Sequence, residues 1–311
     1  MPLSGSPSGT TAQEPPRPHR ARRRTPSKVS CIVEQHRGGQ TLAEELAPGL
    51  SVAESLLLDV VLGDDYAICA LASAGAYIDD VDGNSRLLYH AVSSGHSRVV
   101  RLLLMLGVNA SARPASKPLT PLLLAIWVRD IDVTKLLLSH DADVTCLPSG
   151  GVSAVRMACY VKTTDTLRVV LSAGAHVDLC GDDRWTGLHE ACYSKSLTCA
   201  RALLDPVLGQ RRANVGRSDR VGNRPLYISS ARSSLDTVDV LIEKGADVMQ
   251  AAMDGTLAVL AAAANEHCGV AHRLWNHTTN VDNLTVLRVA SNHCMGSVSK
   301  FLLSIKVESS S

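Results

Sequence analysis

The chain of 311 residues is long enough for one large domain or two ordinary ones, with a sizeable core in either case. Apolar residues make up 45% and aromatic residues 3%, so the chain as a whole is not disordered by composition, and its core must pack through Leu, Val, Ala and Ile, which suits short helices in close contact. A formal net charge of +1 excludes a global field for nucleic acid or membrane, and nine scattered cysteines with no C-x-x-C argue against a disulfide framework.

Charge is unevenly spread: residues 1–40 hold seven Lys/Arg against two Glu, which leaves 24 basic against 28 acidic over 41–311. Six of the 13 prolines fall within residues 1–26, beside the run His19-Arg20-Ala21-Arg22-Arg23-Arg24. Such a segment buries too little apolar surface to offset its ordering entropy, so residues 1–45 read as a disordered, basic, Pro-rich N-terminal arm. The Arg20–Arg24 run reads as a nuclear-import signal, an anionic-surface contact or a solvated tail, and Thr25-Pro26-Ser27-Lys28 adds a site for proline-directed phosphorylation. The opening residues contain no apolar stretch of signal-peptide length, and no 18-residue window is free of charged and polar residues. The expectation is a cytoplasmic protein in a reducing compartment, with a nuclear location as the alternative that the basic run allows.

Residues 46–311 read as one repeating array. An apolar run closes on glycine at Ser73-Ala74-Gly75-Ala76, Met105-Leu106-Gly107-Val108, Ser172-Ala173-Gly174-Ala175 and Glu243-Lys244-Gly245-Ala246, with Ser139-His140-Asp141-Ala142 as a variant. Glycine there can take the left-handed conformation that ends a helix. A helix-opening slot lies 21 residues earlier, clearest at Thr120-Pro121-Leu122, Thr186-Gly187-Leu188-His189 and Arg224-Pro225-Leu226-Tyr227. In chain order the slot falls at Glu54, Arg86, Thr120, Ser153, Thr186, Arg224, Thr256 and Thr285, at intervals of 32, 34, 33, 33, 38, 32 and 29. The long interval contains an extended link, Asp205–Arg212. The apolar block before each glycine has helical spacing, and a small residue recurs at Ala91, Ala125, Ala158 and Ala191.

A unit of about 33 residues with T-P-L-H, then G-H, then L-L-x-x-G-A-D-V resembles the ankyrin repeat. The resemblance rests on Thr186-Gly187-Leu188-His189-Glu190-Ala191-Cys192, on Ala91-Val92-Ser93-Ser94-Gly95-His96 and on Leu241–Val248, and covers roughly residues 50–311. It implies an all-α solenoid of seven to eight helix–turn–helix units with β-turn fingers, in which no unit buries its apolar face alone.

Enzyme signatures are absent: there is no G-x-x-x-x-G-K-[ST], no G-x-G-x-x-G after a strand and no G-x-S-x-G. His189 beside Glu190 could suggest acid–base work, but in the resemblance that His belongs to the T-P-L-H slot, where it ties the turn backbone. His189 and Cys192, His267-Cys268 and His293-Cys294 lack the spacing of a zinc site, and their thiols read as small buried hydrophobes. No catalytic residue, metal or other cofactor is expected.

In ankyrin arrays the exposed side of the first helices and the β-turn tips line a concave face. The slots implied to point there are His90, Ser93 and Ser94; Leu124, Trp127 and Val128; Met157, Tyr160 and Val161; Glu190, Tyr193 and Ser194; and Ile228, Ala231 and Arg232, with Trp185 on the adjoining turn. Four of the ten aromatic residues thus gather over three consecutive units, and Trp and Tyr dominate interface energetics. The expected partner-binding residues are Trp127, Val128, Met157, Tyr160, Val161, Trp185, Tyr193 and Ile228, gripping another protein or peptide; the bland alternative is that the arm or a second copy covers them. Asp182, Asp183, Arg184, Arg113 and Lys117 would form a polar rim. The net acidic body makes nucleic acid an unsuitable ligand, and no membrane partner is expected. The same resemblance extends to substrate-recognition subunits of cullin–RING ubiquitin ligases, which carry a SOCS box. The residues after Thr285 instead complete a repeat, with Ser299-Lys300-Phe301-Leu302-Leu303 and no proline, so the alternative expectation is such a substrate-recognition adaptor in a shortened form, with ubiquitin-ligase components as partners.

Overall fold

The computed structural model describes residues 57, 59–73, 86–114, 117–148, 150–205, 211–253 and 255–277. The expected arm, the glycine slot at Gly75, most of the Asp205–Arg212 link and the unit from Thr285 lie outside them. Among the described residues all regular structure is helical. The helices are α1 (Asp65–Ser73), α2 (Arg86–Ser93), α3 (Ser97–Met105), α4 (Pro121–Trp127), α5 (Ile131–Ser139), α6 (Ala154–Tyr160) and α7 (Thr164–Ser172). They continue with α8 (Gly187–Tyr193), α9 (Leu197–Leu204), α10 (Pro225–Ala231), α11 (Leu235–Glu243), α12 (Ala258–Ala264) and α13 (Cys268–Asn276).

The even-numbered helices begin where the slot residues predict. The hydroxyls of Thr120, Ser153 and Thr186 accept from the backbone N–H three residues on, in Leu123, Arg156 and His189, at 3.3, 3.2 and 3.5 Å. Pro121 and Pro225 occupy the first helical position, where a missing N–H costs nothing. One slot is displaced: α12 opens after Leu257, not after Thr256, because the return turn that ends the helix nine residues later fixes its start.

That return turn is the most regular feature of the backbone. Gly63, Gly95, Arg129, Lys162, Lys195, Ser233 and Glu266 all have positive φ, between 56° and 79°. In the last six, the next residue's N–H reaches back to the carbonyl of Ala91, Ala125, Ala158, Ala191, Ser229 or Ala262, at 2.9–3.1 Å. The left-handed residue itself donates to the carbonyl one residue further on, at 3.1–3.3 Å, which completes the Schellman pattern. The odd-numbered helices α3, α5, α7 and α11 end the same way on Gly107, Asp141, Gly174 and Gly245. Helix α9 does not: Asp205 is extended there, and the carbonyl of Leu203 receives its return bond from Ala213 at 3.0 Å, after the long link.

Even helices pack on even helices in sequence from α2 to α12, and odd on odd from α1 to α13, giving a two-layer stack of pairs. Ala91, Ala125, Ala158, Ala191, Ser229 and Ala262 are fully buried between the even helices, where a larger side chain would hold neighbours apart. At Ser229 the hydroxyl donates to the Leu226 carbonyl at 3.1 Å. The odd helices contribute leucine and valine faces such as Val99, Val100, Leu103 and Leu104. Projecting fingers join the pairs, two of them closed by Asp219 N–H to Asn223 O and Ala252 N–H to Thr256 O, each at 2.9 Å. Adjacent fingers are tied by Arg220 N–H to Asp183 O at 2.9 Å.

Side chains also stitch one unit to the next beside the return turns. His96 Nε2 lies 2.9 Å from Val61 O, and His267 Nε2 lies 3.1 Å from Ala231 O. Arg232 Nε donates to Tyr193 O at 3.2 Å, Ser194 Oγ to Cys159 O at 3.5 Å, and the Arg129 guanidinium to Val161 O.

Candidate partner-binding surface

Trp127, Tyr160 and Tyr193 are the last residues of α4, α6 and α8, at the same position in three successive units. Each side chain is about half exposed, at 48%, 53% and 47%. Stacking of the even helices brings the first two rings together: Trp127 and Tyr160 lie 5.5 Å apart between centroids, with an interplanar angle of 12°. Tyr193 meets Trp185 edge to face at 6.0 Å and carries the Arg232 guanidinium 4.5 Å above its ring. Val128 is exposed beside Trp127. The equivalent positions in the flanking units are Ser93, Ala231 and Ala264, so the ring-bearing surface is confined to three central units.

Three of the expected lining residues are placed differently. Met157, Val161 and Ile228 are only 4%, 8% and 6% exposed, and Leu124 and Glu190 are buried as well. Leu124, Met157 and Ile228 belong to the continuous apolar core, and Glu190 is taken up by Arg156 and Trp185. Side chains on a helix also lean toward its N-terminus, so the rings at 127, 160 and 193 cover the turn below, which holds 124, 157 and 190. Val161 is closed in where the Arg129 side chain crosses to its carbonyl. These residues support the surface from beneath.

Trp185 is half-buried and held on every side. Its backbone N–H donates to Asp183 Oδ1 at 3.0 Å, its indole N–H to Glu190 Oε2 at 3.0 Å, and its ring lies 5.5 Å from His189. Arg156, absent from the sequence-based candidates, organises this corner. It pairs with Asp183 at 2.5 Å and with Glu190 at 3.5 Å, and lies 6.0 Å from the Trp185 ring. Burial pushes the Glu190 carboxyl above its usual range, against the pull of Arg156 and of the Trp185 hydrogen bond. The regular interval of the repeat could have pointed to Arg156, since it shares the His189 slot one unit earlier. Of the expected rim, Asp183 is taken by Arg156, Arg113 donates to Lys117 O at 3.0 Å, and the Lys117 ammonium lies 5.5 Å above the Tyr89 ring.

His189 serves the turn. Its Nδ1 lies 3.2 Å from the Thr186 N–H and 2.7 Å from Thr186 Oγ1, forming a capping box with the Thr186 side chain. Burial holds its pKa below the ordinary value, with the Asp219 carboxylate opposing. Cys159, Cys192 and Cys199 are fully buried, whereas Cys268 is exposed, contrary to the reading of its thiol as buried. The buried face of α13 is Val270, Ala271 and Leu274, and Cys268 lies off it. A hydrogen bond between Cys159 and Cys199 raises the first thiol and lowers the second. Among the described residues no three His, Cys, Asp or Glu converge to hold a metal ion, and no helix is long and apolar enough to cross a membrane.

A family model for ankyrin repeats in three copies matches residues 56–147 and again 155–252, well over half of the chain. The chain is 29% identical over 165 residues to the ankyrin repeat protein FPV230 of fowlpox virus (strain NVSL), covering 53% of this chain and 85% of the viral protein. It is 33% identical over 105 residues to the glycerophosphocholine phosphodiesterase gde1 of Schizosaccharomyces pombe, covering 33% of this chain but 9% of the enzyme, a span too short to carry that activity across. Paired helices, return turns, fingers and the family match agree: this chain belongs to the ankyrin-repeat family.

Proposed function

We propose that the chain is a non-catalytic recognition module, which grips a peptide or partner domain on the surface formed by Trp127, Val128, Tyr160 and Tyr193. Ankyrin repeats in general mediate protein–protein interaction. The observation that carries the reading is the exposed, stacked pair Trp127–Tyr160 with Tyr193 beside it. Rings are scarce in this chain, and half-exposed Trp and Tyr side by side are the residue types on which binding energy concentrates. Trp185 and Arg156 hold the surface in shape from the finger side, and Met157 and Ile228 from below.

The test compares affinity capture by the wild-type chain with capture by a Trp127→Ala/Tyr160→Ala/Tyr193→Ala variant, followed by direct binding measurements on whatever is recovered. Because all three rings are half exposed, the variant is expected to keep its helical circular dichroism and lose at least about tenfold in affinity. Undiminished binding by a folded variant would remove these residues from the function.

A further inference from the structure

Beside each exposed ring stands a cation. The residue two places after Trp127, Tyr160 and Tyr193 is Arg129, Lys162 and Lys195, the left-handed residue of each return turn, and Arg232 follows in the next unit. All four are exposed. The ammonium groups of Lys162 and Lys195 make no hydrogen bond or ion pair among the described residues. Arg129 and Arg232 each give one donor to a neighbouring carbonyl and keep the rest of the guanidinium free, Arg232 with its guanidinium 4.5 Å from the Tyr193 ring centre. The run ends on both sides: the return turn is Gly95 in the unit before and Glu266 in the unit after Ser233. Among the described residues no carboxylate pairs with these four cations. Asp130 caps α5, Asp132, Asp165 and Asp236 lie in the first turns of odd helices, and Glu190 is buried against Arg156 and Trp185.

We infer that this edge takes an extended acidic segment of another protein, with a carboxylate at every third residue and apolar side chains between them. The inference rests on the recognition role proposed above and adds the chemistry of the partner. The spacing follows from the stack. Neighbouring packed helices lie about 8–10 Å apart, so the return turns of Arg129, Lys162 and Lys195 recur at about that interval, while the Trp127 and Tyr160 rings lean together to 5.5 Å. A polyproline II segment advances about 9.3 Å in three residues and returns the same face at each step, so it matches the array unit for unit. The Arg129 guanidinium reaches forward to Val161 O and the Arg232 guanidinium back over Tyr193, so the four cations gather along the three ring-bearing units and fit a segment of about seven residues. Carboxylates would meet Arg129, Lys162, Lys195 and Arg232 while apolar side chains lie on Trp127, Tyr160 and Tyr193. A nucleic acid could also use rings and cations, but 28 acidic against 24 basic residues over 41–311 weigh more heavily against a strand charged at every nucleotide than against a peptide charged at every third residue.

The full chain is used to select from a displayed library of random twelve-residue peptides, and the selected peptides are measured against three variants and a twelve-nucleotide oligouridine. Peptides with Asp or Glu at i, i+3 and i+6 are expected to be enriched. Their binding is expected to fall about tenfold or more on Lys162→Glu/Lys195→Glu, and less on Lys162→Gln/Lys195→Gln, which keeps the test open if charge reversal disturbs folding. Peptides that need Trp127 and Tyr160, judged by a Trp127→Ala/Tyr160→Ala variant, but are basic or indifferent to both lysine variants overturn the acidic preference and leave the recognition surface standing. Failure to select any ring-dependent peptide overturns both. Tighter binding of oligouridine than of any selected peptide overturns the inference in favour of nucleic acid.

Discussion

Replacing Ser233 with glycine is expected to make the chain more stable, although it removes a side chain. Ser233 occupies the return turn between α10 and α11 with φ of 59°. An L-residue in the left-handed region costs about 1–2 kcal/mol, and glycine avoids that cost but brings about 0.5–1 kcal/mol of additional unfolded-state entropy. The net gain is about 0.5–1 kcal/mol. Nothing offsets it, because the exposed hydroxyl makes no bond among the described residues. The bonds that matter, Ser233 N–H to Ser230 O and Ser234 N–H to Ser229 O at 3.3 and 3.1 Å, belong to the backbone and survive. Gly174→Ala is the converse. Its φ is 91° and an added Cβ meets nothing within 4 Å, so only the backbone is perturbed. The balance there is a loss of about 1 kcal/mol. In thermal melts followed by circular dichroism, a domain of this size moves about 2–4 °C per kcal/mol, so Ser233→Gly should rise and Gly174→Ala should fall by a few degrees. A lower midpoint for Ser233→Gly, or an unchanged one for Gly174→Ala, would refute the role given to the left-handed turns.

Two further outcomes follow from burial. Burial lowers the pKa of His189 in the folded chain, so its contribution is complete above the unfolded value of about 6.5 and is lost as pH falls from there toward the folded value. The melting temperature should therefore drop between pH 7 and pH 5.5 by more in the wild type than in His189→Gln; His90, shifted the same way by burial and by Lys117, leaves some slope in both, and equal slopes would exclude His189 as a source. With a maleimide reagent, Cys268 should react on the native chain while Cys159, Cys192 and Cys199 react only after denaturation, as peptide mass spectrometry would show; comparable native rates at the three buried thiols would contradict the packing around them.

The sequence carried the fold where a local signal and a stacking signal coincide. Thr120, Ser153 and Thr186 cap helices because each has a hydroxyl at the required place, and Ala91 through Ala191 are buried because the approach of neighbouring helices leaves room for little else. The exposure of Trp127, Tyr160 and Tyr193 was legible from the repeat, because all three occupy the same last helical position in successive units. Met157, Val161 and Ile228 were misplaced because their surroundings come from residues about 33 positions away, with the Tyr160 ring leaning over Met157 in addition. The return turns were hidden because only Gly63 and Gly95 announce a left-handed residue; at Arg129, Lys162, Lys195, Ser233 and Glu266 the neighbouring hydrogen bonds impose it on residues with no preference for it. The shift from Thr256 to Leu257 has the same origin, since a threonine one place early is a stronger local signal than the leucine that the turn selects.

Those five turns have a consequence for how such a surface can change over time. Glycine would be the relaxed occupant, yet it would offer a visitor nothing to hold. Each non-glycine residue concedes a fraction of the chain's stability, and in return one fixed, solvent-facing address becomes open to any chemistry, since the backbone bonds that define it involve no side chain. Exchanging the occupants can therefore rewrite what the edge prefers while the stack beneath remains as it was.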